Sequence, residues 1–492
     1  MYFWEKMEME KIISFTKRSQ LQALTASEYL GYTIQPLIQE ILNQVVATEN
    51  MDRAIVHAAE KYPRIAETFF DIDPTNIAAS FSLREPLLFP EHNPVVSFSF
   101  INTKMSQFLS VGGAQKLEKQ SVLPEIHHLL YLCGQAKFNY DQICQQVSDD
   151  MVTLLDKLIK SWVVQEQPQP ARGVPVETPG VFRLQHAALL YRTKTTGILV
   201  DPQLHSNYGL SNLKHDITRA MLEGFVDAIL ISHSHYDHWN FPTLMQFAPE
   251  IPIIVPKVPR GSITCEDMKA RLEGLGFHNV IAVDWYAEPI AIGDIEINVL
   301  PFYGEQPLVP EYNEPKHPDL RNWGNTYLVR TPYYTSWFLI DAGDDPMGSM
   351  KDVAEYVKDK FGSVDQIISN FLSLSYNSIG TDLSGWGADI VGNLLSNPQI
   401  FSVTNKKEGF HLATLGAKGV AEICAIVGAK ACLPYAHSWA ELGDYTKVDR
   451  SLIQEAMTEL ETLGCSTQVI PWRIGDGYLN NNGDVPDSSL LY

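Results

Sequence analysis

The chain has 492 residues, of which 45% are hydrophobic, and a formal net charge of −21 at pH 7. This length allows two or three domains with cores of their own, and the composition excludes collagen-like, coiled-coil and disordered proteins. The negative charge argues against a nucleic-acid partner, because binding to phosphates requires a broad basic face. The sequence has no Cys-x-x-Cys pair, no signal-peptide segment and no apolar run of roughly 18 residues, so we expect a cytoplasmic protein with reduced thiols and no membrane partner.

The first region, residues 1–165, has the pattern of a mixed α/β domain. Apolar residues recur at helical spacing in 35–46, strict alternation in 96–100 predicts a strand, and 123–166 has a helical pattern throughout. The region lacks the clustered histidines and carboxylates of a metal site. We therefore predict that it serves assembly, through homodimer formation or docking of a partner. Residues 166–180 are rich in proline and have no periodicity, which indicates a linker.

The second region, residues 181–480, predicts strands in two groups, accompanied by helices. Residues 182–192 and 196–200 have the pattern of a hairpin. The further elements expected are strands at 226–231, 251–255, 289–292, 295–300, 325–330, 336–340, 364–369, 429–434 and 467–472, and helices at 241–247, 263–275, 350–361, 417–427 and 451–463. Two such groups predict an α+β fold in which two sheets pack face to face with helices outside. Residues 481–492 are expected to form a tail.

One short stretch carries a dense set of potential metal ligands. His233, His235, Asp237 and His238 lie within six residues, in the sequence Ile229-Leu-Ile-Ser-His-Ser-His-Tyr-Asp-His-Trp-Asn240. The predicted strand before them and the predicted helix after them place these side chains on a loop, where they can converge. Imidazole suits zinc, iron, copper or nickel, whereas a carboxylate favours harder metals. The stretch therefore predicts a metal site.

Further candidate ligands lie where predicted strands end. They are Asp201, Glu305, Asp341 and His437. Each is weak evidence by itself, but together with the central motif they form an ordered set along the chain. His186, on an early predicted strand, is expected to be structural.

This set of motifs resembles the metallo-β-lactamase superfamily over roughly residues 175–480. His-x-His-x-Asp-His is the most specific motif, and Val200-Asp-Pro, Ile340-Asp-Ala-Gly and the strand-end His437 stand in the superfamily's order around it. The resemblance implies an αββα sandwich with a two-metal site at one edge, preceded here by the mixed α/β region. It also implies that Asp341 bridges the metals and that Asp201 orients a ligand histidine.

Glu305 departs from the superfamily's pattern, because hydrolytic members usually have a histidine at this place. Either Glu305 is itself a ligand, or the ligand is His317 in the insertion that follows. We favour Glu305, since it follows a predicted strand, whereas His317 lies in a proline- and charge-rich loop. Carboxylates stabilise Fe(III) better than imidazole does. A site with Glu305, Asp237 and Asp341 therefore favours iron and O2 chemistry over zinc.

Because it has glutamate at this place, the chain resembles the dinuclear iron β-hydroxylases of nonribosomal-peptide and antibiotic biosynthesis, such as that of chloramphenicol biosynthesis. These enzymes also have a long N-terminal domain. The resemblance implies two iron ions, O2 as co-substrate and an external electron donor or reductase. Its substrate would be an amino acid held as aminoacyl-phosphopantetheine on the carrier domain of a nonribosomal peptide synthetase. The roles implied are His233, His235 and Glu305 on one iron, Asp237, His238 and His437 on the other, and Asp341 between them, with Glu305 and Asp341 taking part in catalysis. The alternative is a dizinc hydrolase of an ester, lactone or phosphodiester.

Overall fold

The computed structural model describes residues 11–16, 19–48, 50–73, 75, 81–102, 107–111, 122–168, 179–204, 217–235, 237–263, 265–305, 321–345, 347–373, 414–436, 439–440 and 444–479. The predicted C-terminal tail and most of the predicted proline-rich linker lie outside these residues.

The residues up to position 168 form a series of helices and short strands. In chain order they are β1 (Lys11–Phe15), β2 (Ser19–Thr25), α1 (Ala26–Thr48), α2 (Met51–Lys61), α3 (Pro63–Phe69), β3 (Phe70–Asp71), β4 (Ser82–Leu83), α4 (Glu85–Leu88), β5 (Val95–Asn102), β6 (Gln107–Val111), α5 (Val122–Gly134), α6 (Tyr140–Cys144), α7 (Asp149–Lys160) and β7 (Val164–Pro168). The helix predicted at 35–46 and the strand predicted at 96–100 are confirmed within α1 and β5. The helical pattern predicted up to residue 166 is wrong at its end, because β7 pairs antiparallel with β1, more than a hundred residues earlier.

The residues from position 180 onward carry most of the strands. In chain order the elements are β8 (Gly180–Arg183), β9 (Leu189–Arg192), β10 (Gly197–Val200), β11 (Ala228–Leu230), α8 (Phe241–Leu244), β12 (Ile253–Pro256), α9 (Met268–Gly274), β13 (Val280–Val283), β14 (Ile290–Ile292), β15 (Ile295–Pro301), β16 (Asn325–Arg330), β17 (Thr335–Ile340), β18 (Asp344–Asp345), β19 (Gly348–Ser349), α10 (Met350–Phe361), β20 (Gln366–Asn370), α11 (Gly416–Val427), β21 (Ala431–Tyr435), α12 (Lys447–Thr462), β22 (Gln468–Val469) and β23 (Gly477–Leu479). The prediction of one strand over 182–192 is wrong, because residues 184–188 form a turn between β8 and β9.

Two sheets, each of seven described strands, form the centre of the fold. The first has the order β13-β12-β11-β10-β9-β8-β23, and the second has the order β14-β15-β16-β17-β20-β21-β22. Strands β10 to β13 are parallel to one another, as are β17, β20, β21 and β22. Because neighbouring parallel strands end at the same edge of a sheet, the loops after β10 and β11 are neighbours at one edge.

Strands β10 and β11 of the first sheet are buried on both faces. In β10, Ile198 and Val200 belong to the core between the two sheets, whereas Leu199 belongs to a second core on the outer face. In β11, Leu230 belongs to the core between the sheets, and Ile229 belongs to the core on the outer face. Continuous apolar runs of this kind are typical of parallel strands that are covered on both sides.

Helices cover the outer face of each sheet. Helices α10, α11 and α12 contribute Val353, Ala421 and Leu452 to the core that contains the second sheet. Helices α5 and α7 contribute Leu129 and Leu155 to the outer core of the first sheet. The layers are therefore helix, sheet, sheet and helix, which is the predicted αββα sandwich in an α+β fold. None of the helices in the described ranges is long and apolar enough to cross a membrane.

The apolar core is continuous across the predicted domain boundary near residue 165. Besides these packing contacts, the fully buried ring of His127 in α5 lies 3.0 Å from the carbonyl oxygen of Phe247 and 3.2 Å from that of Leu275. Residues 34–89 have a smaller core of their own. The division at 165 stays a prediction, but the helices before it complete the layer that the first sheet needs.

Candidate metal centre

The motif that contains the histidine cluster lies on a loop at the end of β11, as predicted. The backbone N–H of Ile231 still bonds to Ile254 in β12, and the chain then leaves the sheet. At the other end of the loop, the Asn240 side chain accepts a hydrogen bond from the Thr243 N–H and caps the short helix α8. A strand and a capped helix thus fix both ends of the loop.

Strained backbone marks three of the strand ends near this loop. Asp201, Glu305 and Ile340, the residue before Asp341, have φ values of 42°, 45° and 62°. Residues other than glycine rarely adopt this left-handed conformation, and each instance costs on the order of 1–3 kcal/mol. Such strain at several converging strand ends is typical of a functional site.

The first group of candidate ligands consists of His233, His235 and Glu305. Oε2 of Glu305 lies 3.0 Å from Nδ1 of His235 and 3.4 Å from Nε2 of His233, and the two ring nitrogens are 3.0 Å apart. Two imidazoles and one carboxylate therefore point at a common position, at the spacing that a single metal ion requires.

The second group forms around His238. Its Nε2 lies 2.8 Å from Oδ2 of Asp341 and 3.3 Å from Oδ2 of Asp237. His233, His238 and Asp341 also form a group whose ligand atoms all lie within 4.8 Å of one another. Since His233 belongs to the first group as well, Asp341 lies between the two groups, where a bridging carboxylate is expected.

Asp201 lies behind His238, as predicted. Its carboxylate accepts hydrogen bonds from the N–H and the hydroxyl of Ser232, at 2.7 and 2.6 Å, and lies 2.8 Å from Nδ1 of His238. A proton on Nδ1 would leave the lone pair of Nε2 directed at the carboxylates of Asp237 and Asp341. A carboxylate in this place fixes the tautomer that a metal ligand needs.

The electrostatics of the site favour a cation. Burial by itself lowers the pKa of His238, but Asp237, Asp341 and the bond to Asp201 raise it well above its ordinary value. Burial raises the pKa of Glu305 to about 7, an effect that His235 opposes and that the negative charge of Asp341 increases. Buried carboxylates that raise one another's pKa, as Asp341 raises that of Glu305, repel one another unless a positive charge lies between them.

The donor set fits a metal in one further respect. Both carboxylate oxygens of Glu305 and Nε2 of His238 are buried and form no hydrogen bond of ordinary geometry within the described ranges. Buried polar atoms without such bonds are rare in proteins and call for an explanation. A metal ion is the simplest partner for an oxygen and a nitrogen that converge with other donors.

Metal affinity is expected to fall as the pH decreases through about 7. Glu305 must be ionised to bind a cation, so below its pKa of about 7 a proton competes with the metal. One competing proton weakens binding by up to about tenfold per pH unit below that pKa. The measurement is a titration of metal-free protein with Co(II) or Fe(II) at about pH 6 and about pH 8. The control variant Glu305→Gln should bind more weakly at both values and show a flatter dependence, and an unchanged dependence would contradict this assignment.

His437 is a predicted ligand of the second metal, and His317 is the predicted alternative to Glu305. His437 and His317 both lie outside the described residues, so their roles stay predictions. The nearest described neighbours of His437 are Ala436, which has a φ of 56°, and Trp439, whose carbonyl accepts a 2.6 Å hydrogen bond from the buried Arg183 guanidinium.

The structure also brings two residues to the centre that the sequence did not indicate. Nδ2 of Asn322 lies 3.3 Å from Nε2 of His235, and Nε2 of His186 lies 3.1 Å from Oδ2 of Asp237. The chain beside Asn322 can approach this closely because Gly324 has no side chain; a Cβ there would come within 2.8 Å of Phe302. No local pattern marks either residue, because their proximity depends on long-range packing.

The layers of the fold and the two groups of ligands define the class of this protein: it has the metallo-β-lactamase fold, with candidate ligands for two metals at the sheet edge. No protein-family model matches the chain. In sequence, the chain is similar to 4-amino-L-phenylalanyl-(CmlP-peptidyl-carrier-protein) 3-hydroxylase from Streptomyces venezuelae. The two are 30% identical over 235 residues, which make up 47% of this chain and 39% of that protein. The match thus spans about two fifths of the relative's length.

Two solved structures show the same fold over most of the chain. The crystal structure of CmlA, a diiron beta-hydroxylase from Streptomyces venezuelae, aligns with 94% of this chain and 98% of its own, with a TM-score of 0.56 and 16% identity. A substitution mutant of the CmlA beta-hydroxylase aligns with 93% of this chain and 98% of its own, with a TM-score of 0.57 and 16% identity. The predicted resemblance is therefore confirmed in both sequence and fold.

Proposed function

We propose that this chain is a dinuclear non-haem iron monooxygenase, which β-hydroxylates an amino acid held on the carrier domain of a nonribosomal peptide synthetase. The observation that carries the proposal is the position of Glu305. Its carboxylate lies 3.0 Å from His235 and 3.4 Å from His233, where hydrolytic members of the superfamily usually have a histidine. Glu305 thereby joins Asp237 and Asp341 in a centre with three candidate carboxylate ligands.

The chemistry of this donor set favours iron over zinc. Anionic oxygen donors stabilise the ferric state, and carboxylate-rich sites suit metals that handle oxygen, whereas zinc has no redox chemistry. His233, His235 and Glu305 would hold one ion, and Asp237, His238 and His437 the other, with Asp341 bridging. Bound iron would supply the redox chemistry and the coordination positions that O2 reduction needs, with electrons from an external donor.

The burial of the candidate ligands would keep water away from the reacting atoms. His233, His238, Glu305 and Asp341 are all at most 1% exposed, whereas the side chain of His235 is 10% exposed. The centre is therefore closed on most sides and reachable from the side of His235. Exclusion of bulk water protects a reactive centre from side reactions.

A cluster of half-buried aromatic side chains includes Trp323, the neighbour of Asn322 in the chain. Trp285 and Tyr303 are half-buried and meet edge to face, with their ring centroids 5.3 Å apart. The ring centroid of Trp323 lies 5.5 Å from that of Trp285. Trp323 directly follows Asn322, which contacts His235. Half-buried aromatic side chains of this kind provide apolar area and fixed shape for a bound side chain. We infer that the aminoacyl group approaches along this cluster.

The partners follow from the same proposal. The similar Streptomyces hydroxylase is named for a substrate carried by a peptidyl-carrier protein, and we propose a carrier-bound aminoacyl-phosphopantetheine substrate for this chain too. Tethering would raise the local concentration of the substrate and hold its β-carbon near the metals. An external reductase in the cytoplasm would supply the electrons.

Metal analysis tests whether the chain binds two iron ions, on which the proposal depends. We expect two iron ions per chain in protein expressed in iron-supplied medium, measured by elemental analysis, with the absorption of an oxo-bridged diferric centre. Two equivalents of zinc, without that absorption after reconstitution with iron, would favour the dizinc hydrolase of an ester, lactone or phosphodiester.

A further inference from the structure

We infer that His186 is a positioning residue of the metal centre, which holds the carboxylate of Asp237 in the orientation needed to bind a metal. The inference rests on the proposed function, because it assigns Asp237 as a ligand. Nε2 of His186 lies 3.1 Å from Oδ2 of Asp237, and the two side chains are 3% and 1% exposed. His186, Asp237 and His238 also form a group whose ligand atoms lie within 4.8 Å of one another.

The backbone around His186 is built to direct this side chain. Residues 184–188 connect β8 to β9 in a tight turn, closed by bonds from the N–H of Leu184 to the carbonyl of Ala188 and from the N–H of Ala188 to the carbonyl of Gln185. His186 lies at the tip of the turn with a φ of 41°, in the left-handed region that favours glycine. A strained histidine that points into a buried cluster indicates a function of the side chain.

The base of the turn is held firmly. At the end of β8, the backbone of Arg183 exchanges hydrogen bonds with Gly475 and Asp476, and its buried guanidinium donates to the carbonyl of Trp439. These bonds tie the turn to the C-terminal residues of the fold. A rigid support is what a positioning residue requires, because the side chain can orient a ligand only if its own position is fixed.

The contact of His186 restricts the carboxylate of Asp237. Oδ2 of Asp237 lies between Nε2 of His186, at 3.1 Å, and Nε2 of His238, at 3.3 Å. An N–H of His186 that donates to this oxygen would stop the carboxylate from rotating and would hold it in one orientation toward a metal. Residues that hydrogen-bond to metal ligands in this way orient them and raise the affinity of the site.

A second buried histidine shows what a packing role looks like in this protein. Both ring nitrogens of His127 face backbone carbonyl oxygens, those of Leu275 and Phe247, and none of the candidate ligand groups in the described part of the chain contains it. His186, in contrast, contacts the side chain of a candidate ligand. The two histidines are similarly buried, so His127 provides a matched control.

The test compares metal binding by three full-length variants. His186→Leu fills the volume of the ring without a donor, His186→Gln keeps an N–H donor, and His127→Leu removes a buried histidine that belongs to none of the candidate ligand groups in the described residues. Metal-free protein is titrated anaerobically with Fe(II) and, separately, with Co(II), whose visible absorption reports the ligand geometry. We expect His186→Leu to weaken one of two binding events by about 10- to 100-fold, with an altered Co(II) spectrum. His186→Gln should recover most of that affinity, and His127→Leu should lower the melting temperature without changing metal affinity.

Each contrary result has a distinct meaning. If His186→Leu binds two metals with wild-type affinity and spectrum, the positioning role is overturned while the proposed function stands. If His186→Gln is as weak as His186→Leu, orientation by a hydrogen bond is overturned, because only loss of the imidazole itself would explain both. If the wild-type protein binds no second metal, the proposed function and this inference fail together. His186→Asn, whose shorter side chain cannot reach Asp237, replaces His186→Leu in the same comparison if the leucine variant does not fold.

Discussion

The variant Glu305→Ala is expected to lose hydroxylation and to retain closer to one iron ion per chain than two. Loss of a residue that only supports a ligand typically lowers metal affinity or activity by about 10- to 100-fold, so loss of the ligand itself should exceed that range. The alanine also removes the carboxylate that lies 3.0 Å from His235. The measurements are elemental analysis and turnover of a carrier-bound amino acid under O2.

His317→Ala is the matched control for this prediction. His317 is the other residue that the sequence offered for the same ligand position, and it should leave both the iron content and the turnover unchanged. Loss of iron in His317→Ala together with full iron content in Glu305→Ala would reverse the assignment. Glu305→Gln adds a variant of the same size without charge, which should behave like the alanine variant if the negative charge is what binds iron.

Removal of residues 1–168 is expected to leave no soluble, folded protein. Helices α5 and α7 cover the outer face of the first sheet, and the truncation would expose apolar residues such as Leu199 and Ile229 to water. Large exposed apolar surfaces promote aggregation. Solubility, circular dichroism and thermal unfolding of the truncated chain measure the effect.

A point variant measures the same contact without removing a domain. Leu155 in α7 is fully buried, and Leu155→Ala should lower the free energy of unfolding by about 2–5 kcal/mol. Lys157→Ala, on the exposed side of the same helix, should change it by less than about 0.5 kcal/mol. A truncated chain that folds and binds two metals would contradict the shared core. The role of residues 1–165 in dimerisation or carrier docking stays a separate prediction, because these variants measure folding only.

Regular elements with a strong local pattern could be predicted from the sequence. The strand Asn325–Arg330 and the helix Met350–Phe361 begin and end where predicted, because alternation and helical spacing of apolar residues are properties of the segment itself. The order of the motifs likewise predicted the fold, and the structure brings His233, His235 and Glu305 together. In these cases the local sequence and the tertiary structure agree.

The errors occurred where distant contacts decide the structure. Val164–Pro168 is a strand because it pairs with Lys11–Phe15, a partner that no local window contains. Residues 184–188 turn although their apolar pattern continues that of the flanking strands. The contact of His186 with Asp237 was not predicted either, since a single histidine on an apolar segment gives no sign that Asp237, some fifty residues later, will face it. Tertiary context of this kind overrides local propensity.

The most direct test of the central claim is the fate of molecular oxygen. Reduced, iron-loaded protein is incubated with ¹⁸O2 and with amino acids loaded on a carrier domain, and the mass of the released amino acid is then measured. The proposed function predicts the incorporation of one ¹⁸O atom, at the β-carbon. If neither carrier-bound nor free amino acids are oxidised, while simple esters or lactones are cleaved, the monooxygenase is contradicted and the dizinc hydrolase takes its place.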